Sequence, residues 1–424
     1  MFATLRNAWK VDETRKRMVF TMLMIVVFRL GHALPVPFAN SELISAIYHS
    51  AEGSILSMLN LISGGGLEQL SVFALGVGPY ITSSIVVQLL TFAIPRLEEL
   101  SKEGEEGRKK IQRITKLLGV VLAFLQAFAI VRGIFAKAFA VGGALEISIA
   151  ILVMVAASQF IVWIGDLITE KGIGNGVSMI IFVGIVSGLP KAAFNLGSAV
   201  FAGLFNPLVL LVMLAVLLAI VVVVVILSEG ERKIPVQYAK RVVGRKVYGG
   251  QATHIPIKVN MSGVLPVIFA TSLTALPATL GILFGGGVQT FVRNYLTPSN
   301  WTGTIINVII EGALIIMFAY FYNTIQFNSG EYAKNLQQYG GFIPGIRPGR
   351  PTSDYLSKIV NRVTLIGAVV LAVLAIIPTL LTRGFSVQFV GGTSVIIVVG
   401  VVLETVRQLE SMLQMRHYKG FLNR

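Results

Sequence analysis

Runs of apolar residues long enough to cross a membrane recur from one end of this chain to the other. They fall at Met18–Val36, Val72–Ile94, Ile114–Val131, Ile147–Ile168, Val177–Leu189, Leu208–Leu227, Gly263–Leu283, Thr304–Tyr322, Val363–Leu381 and Gly391–Leu409. A hydrocarbon core takes about 20 residues of helix to cross. No water there can satisfy a backbone N–H or C=O, so a run of this length must close its hydrogen bonds within itself, as a helix does. The fifth run is short, and the count is ten. Only 13% of residues are charged, against about 25% in soluble domains. The chain therefore reads as an all-α polytopic membrane protein. Its basic N-terminal segment leads into an apolar run too long for a signal-peptide core, without a small-residue cleavage motif.

The basic residues orient the spans. Five precede the first run (Arg6, Lys10, Arg15, Lys16, Arg17), and the loop after it, residues 39–71, has none. Over the whole chain, 27 Lys and Arg fall in the segments on the side of the N-terminus and 5 in the others. The positive-inside rule places both termini in the cytosol, and the net charge of +15 lies mainly on that face.

One span differs from a plain anchor. Ser54–Ser63 is a ten-residue amphipathic piece, half the length needed to cross, and Gly64, Gly65 and Gly66 break any helix after it. The run that follows is loosened at its start by Gly76, Gly78 and Pro79 and carries a polar stripe of Thr82, Ser83, Ser84 and Gln88. Irregular backbone at membrane depth survives where it is buried in protein or lines a cavity. The stretch is either the wall of a pathway or a surface helix followed by a packed core helix.

Other features read as structural. Residues 1–17 form a basic amphipathic helix suited to anionic lipid. Arg29 and His32 lie in the outer part of the first span, where Arg can snorkel to the surface. The loop 96–113, with six basic and five acidic residues, is a solvated turn. The alternate glycines of residues 170–177 follow a span rather than a strand and lack the spacing of a dinucleotide fingerprint, so a tight turn is expected there. Two cytosolic loops are long, 228–259 and 325–358. In the first, Val242–Tyr248 reads as two short strands around a turn at Gly244-Arg245. In the second, the Gly- and Pro-rich stretch 341–350 forms a stiff arm presenting Arg347 and Arg350. Loops of this length are usually functional or disordered, and a protein or RNA partner suits them better than lipid alone.

No enzyme constellation is present. The chain has no cysteine, its four histidines are scattered, and no nucleotide, metalloprotease or nucleophile-elbow motif occurs. No catalytic residue, metal ligand or cofactor is expected. Three classes then compete: channel, secondary transporter and membrane-embedded enzyme. A transporter should keep a charged midplane site with an ion relay, and the spans hold no pair of carboxylates. Asp166, Glu311 and Glu404 sit near span ends. Proton-coupled uptake by purified protein would discriminate.

Five stretches, in order, resemble the bacterial SecY family of protein-conducting channels: FALGVGPYITSSIVVQLL (73–90), EKGIGNGVSMIIFVGIVSGLP (170–190), GQATHIPIKVNMSGVLPVIFA (250–270), FIPGIRPGRPTSDYL (342–356) and FVGGTSVIIVVGVVLETV (389–406). The resemblance implies ten helices in two pseudo-symmetric inverted halves of five, 1–190 and 191–424, around a central pore. It implies an aliphatic pore ring of Val77, Ile81, Ile181, Ile185, Ile268 and Ile397, with valine at 77 where the family prevalently has isoleucine. The piece 54–66 matches the plug, with Gly64, Gly65 and Gly66 as its hinge. Thr82 and Leu276 match positions facing the lateral gate, with Leu276 where a bulkier aromatic is frequent. Arg241, Arg245, Lys246, Arg347 and Arg350 fall in the docking loops for the motor ATPase SecA and the ribosome, RNA and protein alike. SecE and SecG are the implied membrane subunits, with anionic lipid around them. Signal sequences and unfolded polypeptides are the implied substrates, and the bacterial inner membrane the implied location.

Overall fold

The computed structural model describes residues 2–50, 60, 63–139, 143–201, 207–238, 241–243, 246–248, 252–385 and 392–422. The N-terminal part comprises α1 (Phe2–Lys10), α2 (Asp12–Ala33), α3 (Ser41–Ser50), α4 (Gly78–Ala93), α5 (Pro95–Lys102), α6 (Glu105–Phe128), α7 (Ala144–Lys171) and α8 (Gly176–Phe201). α6 ends in a π-helical turn, Ala129–Ile134. Then follow α9 (Pro207–Glu229), β1 (Glu231–Tyr238), β2 (Arg241–Val243), β3 (Lys246–Tyr248), β4 (Ala252–Lys258), α10 (Leu265–Phe284), α11 (Gly286–Tyr295) and α12 (Trp301–Gln326). The chain closes with α13 (Ser329–Gln338), β5 (Gly341–Phe342), α14 (Arg350–Phe385) and α15 (Gly392–Leu422).

Every expected span is a helix, but the expected ten are not all recovered on length and composition. Among the described residues eight helices suffice to cross a membrane, or nine if α4 and α5, bent by 101° at Ile94-Pro95, count as one. α2 is 22 residues long but carries Asp12, Glu13, Arg15, Lys16 and Arg17 in its first turns and Arg29 near its end. The second span is shorter than its apolar run. Residues 72–77 form turns, and helix begins only at Gly78, with Pro79 pre-set for a first turn. The boundary at residue 190 falls on Pro190 inside α8, which continues to Phe201. The loop 96–113 is mostly helical and laced by exposed ion pairs such as Lys102–Glu98 and Lys109–Glu105.

Lipid tails are as apolar as leucine, so helices here are held by close packing and interhelical hydrogen bonds rather than by the hydrophobic effect. Small residues set the contacts. Gly119, Ala123 and Ala127 form a buried stripe on α6, and a Cβ at Gly119 would lie 3.3 Å from Ser83 Oγ on α4. Lys116 on α6 pairs with Asp166 on α7 at 2.6 Å. The largest core cluster draws on α2, α4, α7, α8, α9, α10, α12, α14 and α15. A second joins Ile44 and Tyr48 of α3 to Leu67, Leu70, Phe135 and Met154.

The basic amphipathic start does more than lie on lipid. Ala8 of α1 is buried against Ile173 and Leu409, so α1 packs on the ends of other helices. The glycine loop before α8 is the close turn expected of it. Its N–H groups are consumed internally: Ile173 donates to Thr21 Oγ1, Gly174 to Gln408 Oε1, Gly176 to Thr169 Oγ1 and Ser178 to Asn175 Oδ1.

The two long loops are more ordered than their composition suggests. β1 pairs antiparallel with β4 from Glu231↔Lys258 to Gln237↔Ala252, and β5 adds to its other edge through Tyr238↔Gly341. Ile234, Val236 and Ile257 pack on Leu336, Ile343, Leu356 and Val360, giving the sheet a small core of its own. The expected hairpin is present as β2 and β3, paired Arg241↔Tyr248 to Val243↔Lys246.

One close approach is testable. A Cβ on Gly176 would overlap the carbonyl oxygen of Gly165, backbone that cannot rotate away, whereas Gly188 has open space around it. Gly176→Ala is expected to cost about 1–3 kcal/mol through overpacking of α7 on α8. Gly188→Ala, in mid-helix, should be neutral or stabilising by about 0.4–1 kcal/mol. Thermal unfolding of both variants in the same detergent measures the contrast.

Candidate functional site

The six aliphatic residues of the expected ring lie on, or directly before, four helices that all contribute to the largest core cluster. Val77, the residue before α4, and Ile81 one turn later are buried, as are Ile268 on α10 and Ile397 on α15. All four belong to the largest cluster, and Ile181 and Ile185 of α8 lie half-buried against it. The four-residue spacings 77/81 and 181/185 place each pair on one helix face. Side chains of this kind, were they to line a constriction, would exclude water and ions by dewetting.

The glycine break is seated on the same helix as two of these residues. Gly64 and Gly65 have φ of 72° and 91°, a region open mainly to glycine. A Cβ on Gly64 would stand 2.7 Å from the Cα of Gly184, the residue before Ile185. Asn60 holds the base of the segment: its Oδ1 accepts from the N–H groups of Leu67 (3.0 Å) and Glu68 (3.2 Å), and its Nδ2 donates to Tyr48 Oη (2.9 Å). Lys191 pairs with Glu68. Residues 54–59, 61 and 62, the rest of the expected plug, lie outside the described residues.

A seam runs between α4 and α6 on one side and α10 and α12 on the other. It has three levels. At one end the π turn brings Gly133 against α10, where a Cβ would lie 2.7 Å from Ile282 Cγ2. In the middle is a cavity of about 40 Å³ lined by Ser63, Thr82, Gln126, Ser272, Leu276 and Thr279, among others. That is room for a few waters at ~10–15 Å³ each. Both expected gate residues, Thr82 and Leu276, face it. Gln126 and Ser272 were not singled out from sequence; Gln126 is a lone polar residue within an apolar run, and Ser272 sits between Thr271 and Thr274. At the other end, toward the basic loop 95–113, Tyr322 Oη donates to Gln88 Oε1 at 2.6 Å and Phe92 meets Phe321 edge-on at 4.9 Å.

The basic residues of the two loops separate. Arg347 and Arg350 are exposed beside the three-stranded sheet. Their arm is fixed by β5, by Ile343 and Ile346 in the sheet's core and by Thr352 Oγ1 donating to the Arg347 carbonyl, and not by glycine and proline alone. Arg241 and Lys246 occupy the β2–β3 hairpin, while Arg245 lies outside the described residues. Arg29 donates to Ser187 Oγ across to α8, in keeping with a structural role. Glu311, on α12, is buried and has no ion-pair partner among the described residues. No group of three potential metal ligands occurs among them either.

Comparison with known proteins bears on this arrangement. Residues 71–406 match the SecY family profile. The chain is 42% identical to the protein translocase subunit SecY of Mycobacterium tuberculosis, covering 100% of both chains. It is 42% identical to that of Aquifex aeolicus over 99% of both. The chain belongs to the SecY family. Its fold matches a solved protein-conducting channel (TM-score 0.67, 20% identity, 94% of this chain and 92% of that one). It also matches Sec61 from a canine ribosome–channel complex (TM-score 0.64, 18% identity, 94% and 92%). Family membership makes this multi-pass membrane protein a translocation channel.

With no native cysteine to interfere, the seam can be tested directly. Thr82→Cys combined with Leu276→Cys should form a disulfide under mild oxidation, since the two residues share one small cavity and bridging needs Cα atoms closer than about 7 Å. The bond should arrest transport until reductant is added. A free-thiol count that stays at two per chain after oxidation would place the helix faces differently.

Proposed function

We propose that this chain is a passive conduit. Unfolded secretory polypeptides pass through the neck formed by Val77, Ile81, Ile181, Ile185, Ile268 and Ile397, and apolar segments leave sideways between α4 and α10. What supports this reading is that four helices bring these six aliphatic side chains into or against one core cluster, while a small cavity interrupts the seam. Aliphatic walls deform around a passing chain without binding it. No side-chain chemistry is needed for such work, so a partner must push. A secondary transporter would need a charged pair at the waist, and Glu311 is a single carboxyl.

The remaining assignments follow from this reading. The halves 1–190 and 191–424 move against each other, and the segment 54–66 plugs the outer funnel with Gly64, Gly65 and Gly66 as its hinge. The sheet β4-β1-β5 and the β2–β3 hairpin form the cytosolic platform, where Arg241, Arg245, Lys246, Arg347 and Arg350 receive the motor SecA or the ribosome. A similar fold, canine Sec61, is known in a ribosome complex. SecE and SecG complete the unit in the bacterial inner membrane, with both termini cytosolic and anionic lipid against the basic face.

Two experiments test the reading. Ile81→Asn, Ile185→Asn and Ile397→Asn should each raise resting ion leak in planar bilayers, because polar side chains return hydrogen-bond partners to water in the neck, and pairs should leak more than singles. At ordinary core positions, a buried Asn would instead cost about 1–3 kcal/mol of stability with conductance unchanged. Unaltered leak in all three well-folded variants would move the waist elsewhere.

Arg347→Glu should impair motor-driven export while sparing membrane insertion. Arg347→Lys should impair export less, since lysine keeps the charge but lacks the guanidinium fork. Export at normal rates by both would remove Arg347 from the docking surface.

A further inference from the structure

The three levels of the seam differ in chemistry. At the Gly133–Ile282 level the contact is apolar. Lipid tails or an apolar guest can replace such a contact at little cost. At the Gln88–Tyr322 level the contact is a hydrogen bond of 2.6 Å between α4 and α12. Tyr322 is held for that task. Its ring is buried and packs on Phe269 (5.3 Å) and Phe321 (5.9 Å), so the hydroxyl has one direction to point. Gln88 is oriented too, its Nε2 donating to Ser84 Oγ at 3.4 Å, which leaves Oε1 for the tyrosine. One turn further along α4, Phe92 reinforces the same pair of helices through Phe321.

We propose that the Tyr322–Gln88 bond is a latch on the seam, and that it sets how apolar a segment must be to part α4 from α12. This rests on reading the seam as a lateral exit. When the helices separate, the phenol and the amide face lipid or an apolar guest, neither of which offers a donor or acceptor. An apolar segment must therefore supply the lost bond from its own transfer into lipid, whereas the apolar contact at the Gly133–Ile282 level exchanges like for like. Tyr322 and Gln88 are thus positioning residues for the exit and do not touch the polypeptide in the closed state.

The test uses the full chain in its membrane complex. Tyr322→Phe keeps the ring and its stack and removes only the hydroxyl; Gln88→Leu removes the other partner. With a reporter whose signal core has been shortened until export is poor, each variant should raise export about three- to twentyfold, the range for one net interhelical hydrogen bond in lipid. Export with an intact signal should stay near the parent level. The double variant should gain no more than either single one, because both remove the same bond. Spin labels on α4 and α12 should report a wider resting distance in Tyr322→Phe without substrate. Equal export of the weak reporter by parent and both variants, with unchanged spin distances, would overturn the latch. The exit reading is scored separately: it fails if the bridged Thr82→Cys/Leu276→Cys channel still releases apolar segments into lipid.

Discussion

Backbone polar groups inside a membrane must find partners within the protein, and this chain interrupts its helices repeatedly at that depth. At the interruptions, side chains or neighbouring backbone take over the hydrogen bonding. Asn60 accepts the N–H groups of Leu67 and Glu68 where the glycines break the chain. Thr21, Thr169, Asn175 and Gln408 do the same in the loop between α7 and α8. Ser71 forms a bridge with Pro35, and Val36 donates to the Leu70 carbonyl, where the chain enters the irregular stretch before α4. These substitutions let a non-helical segment rest on Gly184 of α8, next to Ile185.

Close packing and incomplete packing divide the work of the fold. Gly165 and Gly176 bring the backbones of α7 and α8 together so tightly that a methyl group would intrude. The seam is different in its middle, which holds a cavity lined by hydroxyl, amide and aliphatic groups.

Much of this was legible in the sequence because membrane helices leave a strong apolar signal and the chain's charges are lopsided. The glycine break, the hairpin at Val242–Tyr248 and the close turn at residues 172–176 were also readable, since glycine at such places has few alternative uses. Three things were not. The first six residues of the second span are apolar but not helical, because Gly76 and Pro79 outweigh hydropathy there. Strands β1 and β4 each carry a proline opposite the partner strand, which masked an alternation visible in Ile234/Val236 and Ile255/Ile257. The bond between Gln88 and Tyr322 joins residues 234 positions apart, and no local pattern announces such a pair. The ring itself came from family resemblance; composition alone could not distinguish those residues from ordinary core.

A channel without its own energy source works only if its closed state is shallow. A run of about ten leucines gains roughly 3–6 kcal/mol on entering lipid, and that is all a signal segment can bring to the seam. Interhelical hydrogen bonds in membranes contribute about 0.6 kcal/mol on average and ~1.7 at most. A seam sealed by many such bonds would never open to a signal, and one sealed by none would open to any helix that drifted past. On the proposed reading of the seam as a lateral exit, few polar contacts beside a small cavity, with apolar surfaces elsewhere, keep the cost of opening inside the range a signal can meet. The proposed aliphatic neck would obey the same limit. Its side chains would exclude water by lacking hydrogen bonds, and for that reason would release a moving polypeptide as readily as they admit it.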